Sequence, residues 1–225
     1  MRDSIVAVVI SHETLIVIRS ASLFFFQTWA CSVIIKLSNR DLRERKRKMK
    51  LVAVRPRDRE LLWNINQKYL YEMTNFYDDE MDARGNLHYG HFDAYFTDPK
   101  RKAFFLYDEK DVLMGFAMIH PYSNLDGTPD YVLAEFTVFP MYRRKHLAIT
   151  AAEMLFARFR GCWEIKYNEK NVAAKTLWNK VTEPYSPRMI RFSDTETVLA
   201  FCSSRQLAAD KAHPTPGTPR EATPE

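Results

Sequence analysis

The stretch EFTVFPMYRRKHLAITAAEML, residues 135–155, narrows the folds open to this chain more than any other segment. Its first part is a strand rich in β-branched and aromatic residues, and Pro140 stops it because proline has no N–H to give to a ladder. The basic turn YRRKHLA (142–148) comes next, after which Leu147, Ala151, Leu155 and Phe159 form an apolar stripe at helical spacing. Strand, turn and helix in that order point the free N–H groups of a helix start outward. The positive end of the helix dipole lies there too, beside the charges of Arg143, Arg144 and Lys145. Such a corner is an anion site, and a pyrophosphate-bearing ligand is its natural occupant.

The surrounding sequence alternates in the same way between Met49 and Ser204. LVAVRP (51–56) reads as a short strand stopped by Pro56, and Arg57–Met73 as a helix carrying Leu61, Leu62, Ile65, Tyr69 and Met73 on one stripe. AFFLYD (103–108) and VLMGFAMI (112–119) flank the turn EKD as a hairpin, and DYVLAEFTVF (130–139) is a long strand. CWEIKYN (162–168) is a strand, Val172–Val181 a helix and TVLAFCS (197–203) a last strand. The pattern predicts one α/β (α+β) domain over 49–204.

The flanks differ in texture. The tail, 205–225, is rich in proline and threonine and cannot bury enough apolar surface to order itself. Residues 1–48 show no sustained period and end in the charge run RDLRERKRK. Ser20–Ile35 is apolar but short of the about 20 residues a spanning helix needs, so a membrane anchor is not expected. RERKRK before Met49 resembles a translated purine-rich ribosome-binding site, which makes Met49 the expected natural start. A disordered or lightly membrane-associated leader is the other reading. Arg40–Lys50 nets +5, the whole surplus of the 225-residue chain, and the globular part therefore has no electrostatic footprint for nucleic acid. Cys31, Cys162 and Cys202 are scattered and odd in number, which fits a reducing, cytoplasmic setting and argues against a disulfide framework or a zinc site.

The turn, together with the residues after it, resembles the GNAT superfamily of acyltransferases. That family carries R/Q-x-x-G-x-G/A after its fourth strand. Arg143 and Ala148 match, while His146 stands where glycine is expected. On the next helix the family carries Asn-x-x-Ala-x-x-aromatic, matched by Asn171, Ala174 and the pair Leu177–Trp178. GFAMI (115–119) fits the family hairpin, and GCWEIKYNEKNVAAKTLW (161–178) is similar to a bacterial branch of predicted acetyltransferases. The resemblance implies the GNAT fold, a mixed, mostly antiparallel sheet of six or seven strands with helices on both faces.

It also implies an activity: direct transfer of an acetyl group from acetyl-CoA to an amine, with a small molecule as the expected acceptor and no metal. Protein N-acetylation, a non-catalytic CoA-binding module and a membrane-tethered protein are the other readings, and a homodimer stays open. By the resemblance, the backbones of Phe136 and Val138 pair with the pantetheine arm. The N–H groups from Arg143 through His146 and Leu147 to Ala148 hold the pyrophosphate. Asn171 contacts the coenzyme, with Ala174 leaving room and Trp178 nearby. The N–H of Val138 faces the developing oxyanion.

Glu135 is the expected base or amine-binding group, because a charged side chain in an apolar strand is costly to bury without a purpose; a structural ion pair is the other reading. Alternation places it opposite Phe136 and Val138 unless a bulge intervenes. The family often protonates the leaving thiolate with a tyrosine, but Trp178 stands in that place. Tyr167 or Tyr185 could substitute, and each could equally be a packing aromatic. YDDEMD (77–82) is either a solvated loop or an attractor for a cationic amine. HYGHFD (88–93) has HxxH spacing without a supporting cysteine or carboxylate pattern, and packing under an acceptor loop is the expected use.

Overall fold

A computed structural model describes residues 5–11, 14–19 and 49–203. The expectations for Ser20–Ile35, the charge run up to Lys48 and the tail fall outside these residues. Strands β1 (Ile5–Ser11) and β2 (Thr14–Arg19) form an antiparallel hairpin in a unit of their own. Among the described residues no helix is long and apolar enough to cross a membrane.

The larger unit is built on a seven-stranded sheet. In chain order its elements are β3 (Met49–Ala53), α1 (Arg59–Met73), the short α2 (Ala94–Thr97), β4 (Lys102–Asp108), β5 (Leu113–His120) and β6 (Tyr131–Val138). Then come α3 (Leu147–Arg158), β7 (Cys162–Asn168), α4 (Val172–Thr182), β8 (Arg188–Arg191) and β9 (Glu196–Cys202). The strand order is β3-β4-β5-β6-β7-β9-β8. Every pairing is antiparallel except β6 with β7.

Both faces are covered. On one, Leu62 and Ile65 of α1 pack with Phe105, Phe116 and Met118. On the other, Ala152, Leu155 and Phe156 of α3 and Trp178 and Val181 of α4 cover Phe104, Ala117, Ile119 and Ile165. Successive strand residues thus serve opposite cores, as the two-residue period requires. Burying about ten large side chains on each side, at roughly 1.5–3 kcal/mol apiece, is what holds α1 and α3 to the sheet. The elements read from the sequence are all present within a few residues. Within this unit the additions are α2 and β8, four residues each and too short to show a period; β1 and β2 are further additions, in residues the sequence left without an element.

Two features of the strands matter for the site. Pairing shifts from Met118↔Glu135 to Ile119↔Leu133, so Ala134 is a bulge. The bulge lets Leu133 and Phe136 both face the α3–α4 core while Glu135 faces α1. Glycine at 115 is required for a different reason: a Cβ there would lie 2.1 Å from the carbonyl oxygen of Thr137 on β6. That close approach fixes which way the β6 backbone turns.

Register also makes one covalent link. Cys162 and Cys202 stand opposite each other on β7 and β9 and are joined as a disulfide. Forty residues separate them in sequence, and no spacing motif announced the pair. The expectation of free, scattered thiols is corrected for these two.

Candidate active site

β6 and β7 pair only through Tyr131–Leu133 and Trp163–Ile165. Beyond those residues they part, and a cleft of about 970 Å³ opens along the second half of β6. The carbonyl of Thr137 lies against Gly115, and the N–H of Phe139 donates to the Met114 carbonyl at 2.8 Å, both toward β5. Strand alternation therefore turns the peptide groups of Phe136 and Val138 toward the opening. Their side chains lie on the α3–α4 side, where Val138 packs near Ala151 and the Phe136 ring meets Trp178 edge-on at 5.1 Å.

At one end of the cleft the chain enters α3. Arg144 and His146 both adopt left-handed backbone, with φ of 60° and 58°. His146 is the residue before the helix, and no side chain among the described residues caps the first turn. Arg144, His146, Leu147, Ala148 and Ile149 line the cleft there, so uncapped helix N–H groups face it. A Cβ at 146 hinders close approach to the backbone more than glycine would. The backbone supplies another reason for glycine at that position: φ > 0 is free for glycine and costs a side-chain-bearing residue about 1 kcal/mol. His146→Gly is therefore expected to raise the melting temperature by a few degrees, or leave it unchanged, and to preserve coenzyme affinity. Loss of affinity on calorimetric titration would show that the imidazole itself makes a contact.

Arg143 has a different task from the one the resemblance implied. Its N–H is bonded to the Pro140 carbonyl at 3.2 Å and is not available to a ligand. Its guanidinium grips Glu72 of α1 in a two-pronged ion pair, 2.5 and 2.7 Å, and its Nε donates to the Val138 carbonyl at 2.7 Å. Arg143 thus ties α1 to the end of β6 and takes up the Val138 acceptor, leaving that residue's N–H. Lys145 lies over the Tyr142 ring, 5.9 Å from its centroid, and is not part of the cleft wall.

Asn171 begins α4 and accepts from the Ala174 N–H at 3.0 Å, which leaves only its amide NH2 to donate. Asn171, Ala174, Leu177 and Trp178 all border the cleft. Tyr167, on β7, also borders it; its hydroxyl is buried and has no hydrogen-bond partner among the described residues. Tyr185 does not. It stacks on Phe201 at 5.4 Å and meets Phe156 edge-on at 6.0 Å, so the packing role suggested for it is the one the structure gives.

Toward the other end lies Glu135, a carboxyl that borders the cleft beneath α1. Burial raises it from an ordinary 4.5 to about 7, although the hydroxyls of Tyr69 and Tyr89 and the charge of Lys166 oppose the rise. Burial and the Glu135 carboxylate together hold both tyrosines well above their usual range, so they remain neutral donors. The sequence marked Glu135 but not its partners, which come from α1 and from the loop before α2. Of the acidic run, Asp79 borders the cleft, while Asp82 accepts the N–H groups of Arg84 and Asn86 at 2.8 Å each and closes its own turn. His88 and His91 border the cleft, as does His120 at the end of β5.

The Acetyltransferase (GNAT) family model matches residues 62–182, more than half of the 225-residue chain. Among solved structures the chain is similar to an acetyltransferase from Thermus thermophilus, with 16% identity and a TM-score of 0.52; 69% of this chain and 97% of that one are covered. It is also similar to the spermidine N-acetyltransferase of Vibrio cholerae in complex with CoA and spermine. There identity is 13% and the TM-score 0.51, with 71% and 98% covered. Likeness at such identities speaks to the fold. Comparison with curated proteins finds no match. The family match runs from within α1 to the end of α4 and takes in the parted strands, the turn and the uncapped helix: the chain is an N-acetyltransferase of the GNAT family.

Proposed function

We propose that this chain transfers an acetyl group from acetyl-CoA directly to the amine of a small molecule. One observation carries the reading: a single cleft has an uncapped helix start at one end, a partly buried carboxyl poised near neutrality at the other, and two outward-facing peptide groups of β6 between them. Acetyl-CoA supplies the activated acyl group as a thioester. Its pyrophosphate suits the N–H groups of Arg144 and of His146 to Ile149, aided by the Arg144 charge, and its extended arm suits the peptide group of Phe136, which leaves the Val138 N–H for the thioester. The arginine–glutamate clamp keeps β6 and α1 in place beside it.

The amine arrives protonated. With a pKa near 10.4, a Lys-like amine costs about 4–5 kcal/mol to deprotonate at pH 7. Glu135 takes that proton, directly or through a water, and its pKa of about 7 suits a base working near neutrality. The N–H of Val138 donates to the carbonyl oxygen as charge collects there. The unpartnered hydroxyl of Tyr167 is the donor we assign to the departing thiolate.

All residues with roles lie within 49–204, which we assign as the catalytic unit. A fragment spanning Met49–Ser204 is expected to fold and to bind acetyl-CoA as tightly as the full chain. It should also release thiol from acetyl-CoA at the same rate across a panel of amino acids, aminoglycosides, polyamines and peptides. A fragment that folds but no longer binds would place essential residues outside these limits. Absence of thiol release by the full chain with every amine would reject the catalytic reading.

A further inference from the structure

Beyond Glu135, the cleft holds a cation whose donors no described residue takes up in a hydrogen bond. Arg101, just before β4, borders the cleft with its side chain only 10% exposed. It is held between two aromatic faces, its guanidinium carbon 5.3 Å from the centroid of Tyr95 and 4.8 Å from that of Tyr122. Its Nε stands 3.6 Å from Asp98 Oδ2, beyond hydrogen-bonding distance, and that oxygen already accepts from the Tyr122 hydroxyl at 2.6 Å. The Tyr95 hydroxyl lies within the guanidinium's reach and feels its charge, although the pair falls short of hydrogen-bond geometry and that oxygen has no partner among the described residues. Among the described residues, then, a side chain nine-tenths buried brings to the cleft a guanidinium that makes no hydrogen bond of ordinary geometry to a protein acceptor. Leaving such donors unmatched is expensive, and a planar fork of N–H groups matches a carboxylate or phosphate.

A second donor stands beside it. His120 accepts the Tyr122 N–H at 3.2 Å through Nδ1. Burial, helped by the charges of Arg101 and His91, lowers its pKa to about 4, and the ring is neutral. With Nδ1 accepting, the proton sits on Nε2, which is left to donate. Tyr95 feels both Glu135 and Arg101, so the base and the guanidinium border the same chamber.

We infer that the acceptor carries an oxyanion, a carboxylate or a phosphate, as well as its amine, and that Arg101 and His120 bind it while Glu135 faces the amine. The inference rests on the proposed transfer reaction and narrows its substrate class. A plain polyamine would set its second positive charge against Arg101. An amino acid or a phosphorylated amino compound would place opposite charges on Arg101 and on Glu135.

The test uses the full chain, acetyl-CoA and matched acceptor pairs: amino acids with their decarboxylated amines, and amino-sugar phosphates with the free amino sugars. Thiol release is measured for each, and binding of each N-acetylated product to the CoA-loaded protein is measured by calorimetry. The anionic member of one pair type is expected to be favoured, and which type it is distinguishes carboxylate from phosphate. Arg101→Gln should reduce that preference ~10–100-fold, through KM rather than kcat, and Arg101→Lys should restore part of it. Unchanged coenzyme affinity in both variants shows that they fold. Equal or reversed preference in the parent, by either measurement, overturns the inference, as does an Arg101→Gln effect equal on both members of a pair. Failure of the parent to bind acetyl-CoA would instead count against the transfer reaction itself.

Discussion

Glu135→Gln is expected to lower turnover at pH 7 by about 10²–10⁴-fold, the usual worth of a positioned acid–base group. Gln keeps the shape but accepts no proton, so the acceptor must arrive deprotonated by bulk solvent. Coenzyme affinity should change little, because Glu135 faces α1 while the peptide groups of Phe136 and Val138 face the opening. In the parent, kcat/KM should rise with pH through about 7, where the Glu135 carboxyl gives up its proton. The variant should lack that step and recover toward high pH as the amine deprotonates unaided. A folded variant with parental rate at pH 7 would move the role to Asp79, the acidic side chain of the 77–82 run that borders the cleft, or to a chain of waters.

The same residue makes a stability prediction of opposite sign. A carboxyl whose folded value, about 7, exceeds its ordinary 4.5 holds its proton in the folded state after the unfolded chain has released it. Stability therefore falls as pH rises from 4.5 to 7, by on the order of 3 kcal/mol for this group alone. Glu135→Gln removes that slope. Its melting temperature, measured against the parent, should improve between about pH 5 and pH 8 while activity collapses. A site that keeps a carboxylate in poor solvation for its chemistry gives this pairing of lost function and gained stability.

Local patterns in the sequence disclosed the framework because its elements are set by local rules. A strand stopped by Pro140, a helix stripe from Leu147 and another from Leu61 require no distant partner to be recognised. The parts that escaped depend on distant pairing. Glu72 and Arg143 lie 71 residues apart and meet only because α1 crosses the end of β6. Tyr69 and Tyr89 reach Glu135 only because the bulge at Ala134 rotates that side chain toward α1. The pairing of Cys162 with Cys202 is a matter of sheet register, and Arg101 gains its setting from tyrosines on two separate segments. His146 lies between these cases. Its departure from the glycine pattern was visible, but the reason, a left-handed backbone rather than crowding, required φ.

Arg144→Glu is expected to weaken acetyl-CoA binding by about 10–100-fold, since a hydrogen bond to a charged group is worth roughly 1.5–3 kcal/mol and the new carboxylate adds repulsion. The three charges of the basic turn go to different places. Arg143 is occupied by Glu72 and the Val138 carbonyl, and Lys145 lies over Tyr142 outside the cleft wall. Arg144 is the member of that trio that borders the cleft at the start of α3 without an ion pair to another described residue. Acetyl-pantetheine, which lacks the pyrophosphate, should bind the parent at least ~100-fold more weakly than acetyl-CoA, because the helix N–H groups and Arg144 would then face only water. It should bind parent and Arg144→Glu alike. Calorimetric titration separates the outcomes: equal affinity of the parent for the two thioesters would remove the helix start from the binding site. Parental affinity of Arg144→Glu for acetyl-CoA would leave the backbone N–H groups as the anion contact without help from the side chain.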